Sequence, residues 1–160
     1  MLELGKSGSH GTGRGTLPVL SGGVVVATVH APNWKEAATA QVGERSWTFR
    51  RRGGRDLTGR WTVDPEDAVR LQAHQESYWT GSWSVTLDGR PVEVVSASRW
   101  KGTHRYASGG RPLAESGTTG GRNPRPALTP SAELPLDHAV FLLWFELLLS
   151  RRSAAATAAV

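Results

Sequence analysis

The chain has 160 residues, enough for one domain with a substantial core, and it has no cysteine. That excludes a disulfide framework, a thiol nucleophile and a thiolate zinc site. Its formal charge is +5, and 16 of its 19 basic residues are arginine. Such a balance suits nucleic acid or an anionic membrane surface, although abundant arginine, alanine and glycine is also how a GC-rich coding sequence looks.

The opening residues, Met1 to Lys6, lack the apolar stretch of a secretory signal, so a cytoplasmic protein is the simplest expectation. Residues 1–15 are rich in Gly, Ser and Thr without an apolar period and read as a flexible leader. Lys6-Ser7 after Gly5 does not complete a phosphate-binding loop, and Gly11, Gly13 and Gly15 do not complete a dinucleotide fingerprint, because position 16 is threonine.

From Leu17 onward the signals are those of strands. Val24 to Val29 is a short β-branched run. Ser46 to Arg50 alternates apolar with polar, as do Leu57 to Val63 and Ser82 to Leu87, and Val92 to Val95 does so less cleanly. Period two with one apolar face is the pattern of a half-buried strand. Gly53-Gly54, Asp88-Gly89 and Gly109-Gly110 suit tight hairpin turns, and Asp64 to Asp67 is a further turn. Residues 117–126 read as a Gly/Pro/Arg-rich loop, and a last short strand is expected over 127–129.

The apolar run from Leu134 to Leu149 is different in kind. Pro135 suits a first helical turn, Asp137 complements the positive end of the helix dipole, and Arg151 and Arg152 complement the negative end. No glycine or proline interrupts the run, so a helix over about 134–150 is expected, with a disordered tail at 153–160. The 16-residue run is about 24 Å long, short of the roughly 30 Å of a bilayer core. Glu146 inside it would be costly in lipid. The helix is therefore expected to be buried in protein, not to span a membrane.

A helix that is apolar all round needs a wall on every side. Many antiparallel strands need their edges paired, and closing the sheet into a barrel does that. The expected fold is mainly β: an antiparallel up-and-down barrel over 16–152, wrapped around the C-terminal helix. Six tryptophans lie outside the helix, at 34, 47, 61, 79, 83 and 100, and their size suits the space between sheet and helix. Glu146 should meet a specific wall partner, an arginine or a tryptophan N–H.

This arrangement, with Leu134-Pro135-Leu136 leading into Ala139 to Leu149 and Arg151-Arg152, resembles the tubby C-terminal-like superfamily, which includes the LURP-one-related and phospholipid-scramblase-like proteins. The resemblance spans about 17–152. It implies a twelve-stranded barrel around a hydrophobic helix and a family tendency toward lipid binding. It brings no catalytic residues, and the cysteine-rich segment of the scramblases is absent.

Of the chemical candidates, the histidines at 10, 30, 74, 104 and 138 have no helical pair spacing, and no cofactor or metal site is expected. Ser82 and Ser84 sit on a strand without the turn that exposes a nucleophile. Tyr78, Trp79 and Trp83 suit either a stacking platform or, with 79 and 83 on one strand face, the core. Arg50, Arg51, Arg52 and Arg55 flank the Gly53-Gly54 turn and form an arginine-rich hairpin tip that suits phosphate or lipid headgroups. The expected function is that of a non-enzymatic soluble barrel protein binding anionic phospholipid headgroups. The alternative is a nucleic-acid-binding module using the same arginines with exposed aromatics.

Overall fold

The computed structural model describes residues 1–33 and 35–159. Twelve strands precede one helix: β1 (Leu2–Leu4), β2 (Thr16–Ser21), β3 (Val24–His30), β4 (Ala37–Val42), β5 (Arg45–Arg52), β6 (Asp56–Trp61), β7 (Leu71–Gln75), β8 (Trp83–Leu87), β9 (Arg90–Ser98), β10 (Thr103–Ser108), β11 (Arg111–Thr118), β12 (Pro126–Pro130) and α1 (Leu136–Ala158). Every strand pairs antiparallel with its sequence neighbours, and β1 also pairs with β12 through Leu2 opposite Leu128, so the sheet closes into a barrel. The expected barrel around a C-terminal helix is the observed fold.

The inward faces carry the apolar residues. Val29, Phe49, Leu57, Leu71, Leu113 and Leu128 are fully buried against α1, whose residues Ala139 to Glu146 are buried on every side. Phe49 forms the centre, with its ring 5.4 Å from Phe141 and 5.2 Å from Trp144. Its cross-strand neighbour is Gly59, where a Cβ would stand 3.1 Å from the Phe49 ring and 3.2 Å from Leu71. A glycine at this point lets the large ring lie flat on the wall.

The topology gives the barrel two unlike ends. The helix begins at the near rim, where the β4–β5, β6–β7, β8–β9 and β10–β11 turns lie. It leaves at the far rim, among the β1–β2, β3–β4, β5–β6, β7–β8, β9–β10 and β11–β12 connections.

Several expectations need correction. Residues 1–15 are not simply a leader: Leu2 and Leu4 are buried as β1, the strand that closes the barrel, and the β1–β2 loop is tied down by hydrogen bonds such as Gly8 N to Thr16 O at 3.0 Å. The helix starts at Leu136, with Pro135 before it, and continues to Ala158 instead of giving way to a disordered tail at 153. Val160 lies outside the described residues. Arg151 and Arg152 consequently sit within the helix and do not close it. Of the tryptophans expected to fill the core, Trp47 and Trp83 are buried and Trp61 is half-buried, but Trp79 and Trp100 are 98% and 100% exposed. Trp34 lies outside the described residues. Trp79 belongs to the β7–β8 loop, so it shares no strand face with Trp83. None of the described helices is long and apolar enough to cross a membrane.

Candidate functional site

The far rim holds a cleft of about 610 Å³ between the emerging half of α1 and strands β8 to β12. At its base is Glu146, which is 6% exposed. Its Oε1 accepts a hydrogen bond from the Tyr106 hydroxyl and another from His104 Nδ1 at 2.9 Å. The wall partner of Glu146 is thus a histidine and a tyrosine, not an arginine or a tryptophan N–H. Both partners come from β10, and Ser116 Oγ on β11 accepts the His104 backbone N–H at 2.7 Å.

Burial, then the charge of Glu146 and the hydrogen bond to it, hold the Tyr106 hydroxyl well above its usual pKa, so it stays protonated and donates. As the donor to Glu146, His104 Nδ1 carries a proton. Among the described residues no hydroxyl is hydrogen-bonded to His104 Nε2. No group of three or more metal-ligating side chains occurs among the described residues.

Around this base the rim is basic. The β9–β10 loop presents Arg99 and Lys101, the β11–β12 loop Arg125, and the helix Arg152. Arg152 donates to Glu36 through two bonds of 2.5 and 2.7 Å, and its guanidinium lies 5.4 Å from the Trp83 ring centre. The bidentate bond to Arg152 is the main reason the Glu36 carboxyl is held below its ordinary value. Arg51 reaches the same carboxylate at 3.6 Å. Glu36 therefore joins the β5–β6 hairpin to the helix where it leaves the barrel.

The four arginines predicted from sequence share one hairpin but do not converge. Arg50 is paired with Glu66 at 2.6 Å on the outer wall, Arg51 turns toward Glu36, and Arg55 lies over the Tyr78 ring at 4.6 Å. Arg52 is exposed and has no ion pair among the described residues. Alternation along β5 explains the split, since Trp47, Phe49 and Arg51 share the inward face while Arg50 and Arg52 face outward.

Sequence reasoning missed the cleft. Glu146 meets His104 and Tyr106, 42 and 40 residues earlier in the chain, only because α1 runs through the barrel past β10. The one legible signal was a carboxylate inside an apolar helix, which required some partner. No family model, curated protein or solved structure matches this chain.

Proposed function

We propose that this is a non-enzymatic, water-soluble barrel protein of the cytoplasm whose far rim engages anionic phospholipid headgroups. The observation that supports it is the uneven satisfaction of charge. At the near rim Arg45 pairs with Asp137, Arg70 with Asp64 and Asp88, and Arg90 and Arg111 share Glu133. At the far rim Arg52, Arg55, Arg99, Lys101 and Arg122 have no carboxylate partner among the described residues. Unmatched cations gathered on one end create a field that attracts an anionic surface.

The barrel wall supports a peripheral protein. Most of its apolar side chains face inward, Val24, Val25 and Val95 being exposed, and the outward faces of β5 to β8 carry Thr48, Arg60, Gln72, His74, Ser84 and Thr86. A membrane barrel has the opposite arrangement, with an apolar outer band. The resemblance to the tubby C-terminal-like superfamily is carried in this proposal as the chain's lineage, and lipid binding is a tendency of that superfamily.

The test is flotation with phosphatidylserine-containing vesicles, comparing wild type with Arg52→Gln/Arg55→Gln/Arg99→Gln/Lys101→Gln. Each charge near an anionic bilayer is worth ~1 kcal/mol, so the quadruple variant should lose most of the binding, and the difference should shrink as salt rises. Absence of wild-type binding, or an unchanged quadruple variant, overturns the proposal. Tighter binding to an oligonucleotide at equal salt would overturn it in favour of a nucleic-acid-binding module.

A further inference from the structure

We propose that the far rim docks on an anionic bilayer through two interfacial anchors, Trp79 and Trp100. This rests on the functional reading above and specifies its contact. The chain buries Trp47, Trp83 and Trp144, yet leaves these two indoles 98% and 100% exposed. A large aromatic side chain fully in water forgoes the burial that its apolar surface favours. Two of them lie on neighbouring connections of one rim, β7–β8 and β9–β10.

Local hydrogen bonds give both loops a defined shape. Ser77 Oγ accepts from the N–H groups of Trp79 and Thr80 at 3.2 and 3.3 Å, and Gly81 N donates to Ser77 O at 3.1 Å. In the other loop Ser98 Oγ accepts from Lys101 N at 3.3 Å. Trp100 lines the far-rim cleft, as does Gly81, two residues after Trp79 in the same loop.

Each anchor carries a cation beside it. Trp100 lies between Arg99 and Lys101, and Trp79 follows Tyr78, whose ring is covered by Arg55. An indole with its apolar body in the acyl boundary and its N–H at headgroup level, flanked by Arg or Lys, is the arrangement found at membrane interfaces. The positive charge selects an anionic bilayer over a neutral one. A further apolar element meets the same rim: the exposed alanines 154–156 of the emerging helix, of which Ala154 lines the cleft. That surface fits an acyl boundary better than a hydrated polynucleotide.

The experiment uses the full chain, mixed phosphatidylcholine and phosphatidylserine vesicles with and without brominated acyl chains, and the Trp79→Ala/Trp100→Ala variant. Both side chains are exposed, so folding should be kept, and a wild-type denaturation midpoint for the variant checks this. Wild-type tryptophan emission should be quenched by the brominated lipid, and the variant should lose both that quenching and about tenfold or more in affinity. The loss should be similar at low and high salt, unlike that of the quadruple charge variant. Vesicle binding equal to wild type in the double variant, or wild-type binding without bromine quenching, overturns the anchors and leaves headgroup binding standing. No wild-type binding to the vesicles overturns both readings. Loss of oligonucleotide affinity with unchanged vesicle affinity assigns the indoles to base stacking and overturns this one.

Discussion

The two rims of the barrel are built from the same strands and the same helix, yet they treat charge and aromatic surface oppositely. At the near rim Trp61 lies between two guanidinium groups, with Arg70 3.4 Å and Arg45 4.7 Å from its ring centre, and both arginines also meet carboxylates. His138 at the helix start meets Asp88 at 3.1 Å. At that end Arg45, Arg70, Arg90 and Arg111 each meet a carboxylate. At the far rim cations outnumber carboxylates and two tryptophans stand in solvent. A GC-rich coding bias accounts for how many arginines the chain has. It does not account for the placement of Arg52, Arg55, Arg99 and Arg122, which lack a carboxylate partner among the described residues, all at the far rim, where Arg51 and Arg152 share Glu36. The near rim pairs its arginines with carboxylates, and the far rim keeps exposed indoles beside cations without carboxylate partners among the described residues.

Both rims rest on one core, and the largest effect is expected from opening it. Phe145 is fully buried, with its ring 5.0 Å from that of Trp83. Phe145→Ala should cost ~3–5 kcal/mol in chemical denaturation. If the rims are separate devices on one core, the folded fraction should still bind vesicles with wild-type affinity. A variant of wild-type stability would refute the central helix as the source of the barrel's cohesion.

Next in size is the base of the far-rim cleft. Tyr106→Phe removes one of the two donors to buried Glu146 and should cost ~1–3 kcal/mol. The same residue fixes an alkaline limb. The folded state raises the Tyr106 pKa above 10.0, so above that pH the unfolded chain releases a proton that the folded chain retains. Stability should therefore be full below pH 10 and fall as pH rises beyond it. Tyr106→Phe should flatten that fall, and an unchanged alkaline limb in urea melts would show that another group sets it.

What was legible beforehand follows from how local each signal is. The helix announced itself as an uninterrupted apolar run, β3 as a β-branched run, and β5, β6, β8 and β9 by apolar residues alternating with polar ones. β4 was silent because its inward residues are Ala38 and Ala40, too small to mark a face, and β7 likewise offers only Leu71 and Ala73. β1 is three residues long and means nothing until β12 lies beside it. The cleft was invisible for a related reason: no spacing rule links position 104 to position 146. The arginine hairpin was legible as a turn, but its division among Glu66, Glu36 and Tyr78 depends on loops from other strands.

A smaller effect belongs to the clamp where the helix leaves the barrel. Glu36→Gln should cost about 1 kcal/mol, since the Arg152 pair is partly screened by solvent. The Glu36 pKa is lowered from 4.5, chiefly by the Arg152 hydrogen bond. Its contribution is accordingly present above pH 4.5 and lost as pH falls below the folded value. Acid titration of the variant should lack that part of the loss, and identical acid limbs would mean that the clamp does not stabilise the fold.

The smallest effect is expected at the near rim, from a single exposed carboxylate. Asp88 is 46% exposed in its side chain and faces both His138 and Arg70 across the near rim. It also has a positive φ of 48° in the β8–β9 turn, a backbone state that asparagine tolerates as well as aspartate does. Asp88→Asn therefore changes charge without straining the turn, and stability should move by no more than about 0.5 kcal/mol, as for exposed ion pairs. It also raises the net charge by one at the near rim. If attraction to vesicles depended on net charge alone, this variant should bind more tightly than wild type. If the far rim is the binding end, its affinity should stay at the wild-type value, because a charge on the opposite end of the barrel is screened over a Debye length of roughly 8–10 Å. Measured beside the far-rim quadruple variant, a gain in vesicle affinity from Asp88→Asn would show that the two ends are electrostatically interchangeable and would undo the distinction between them.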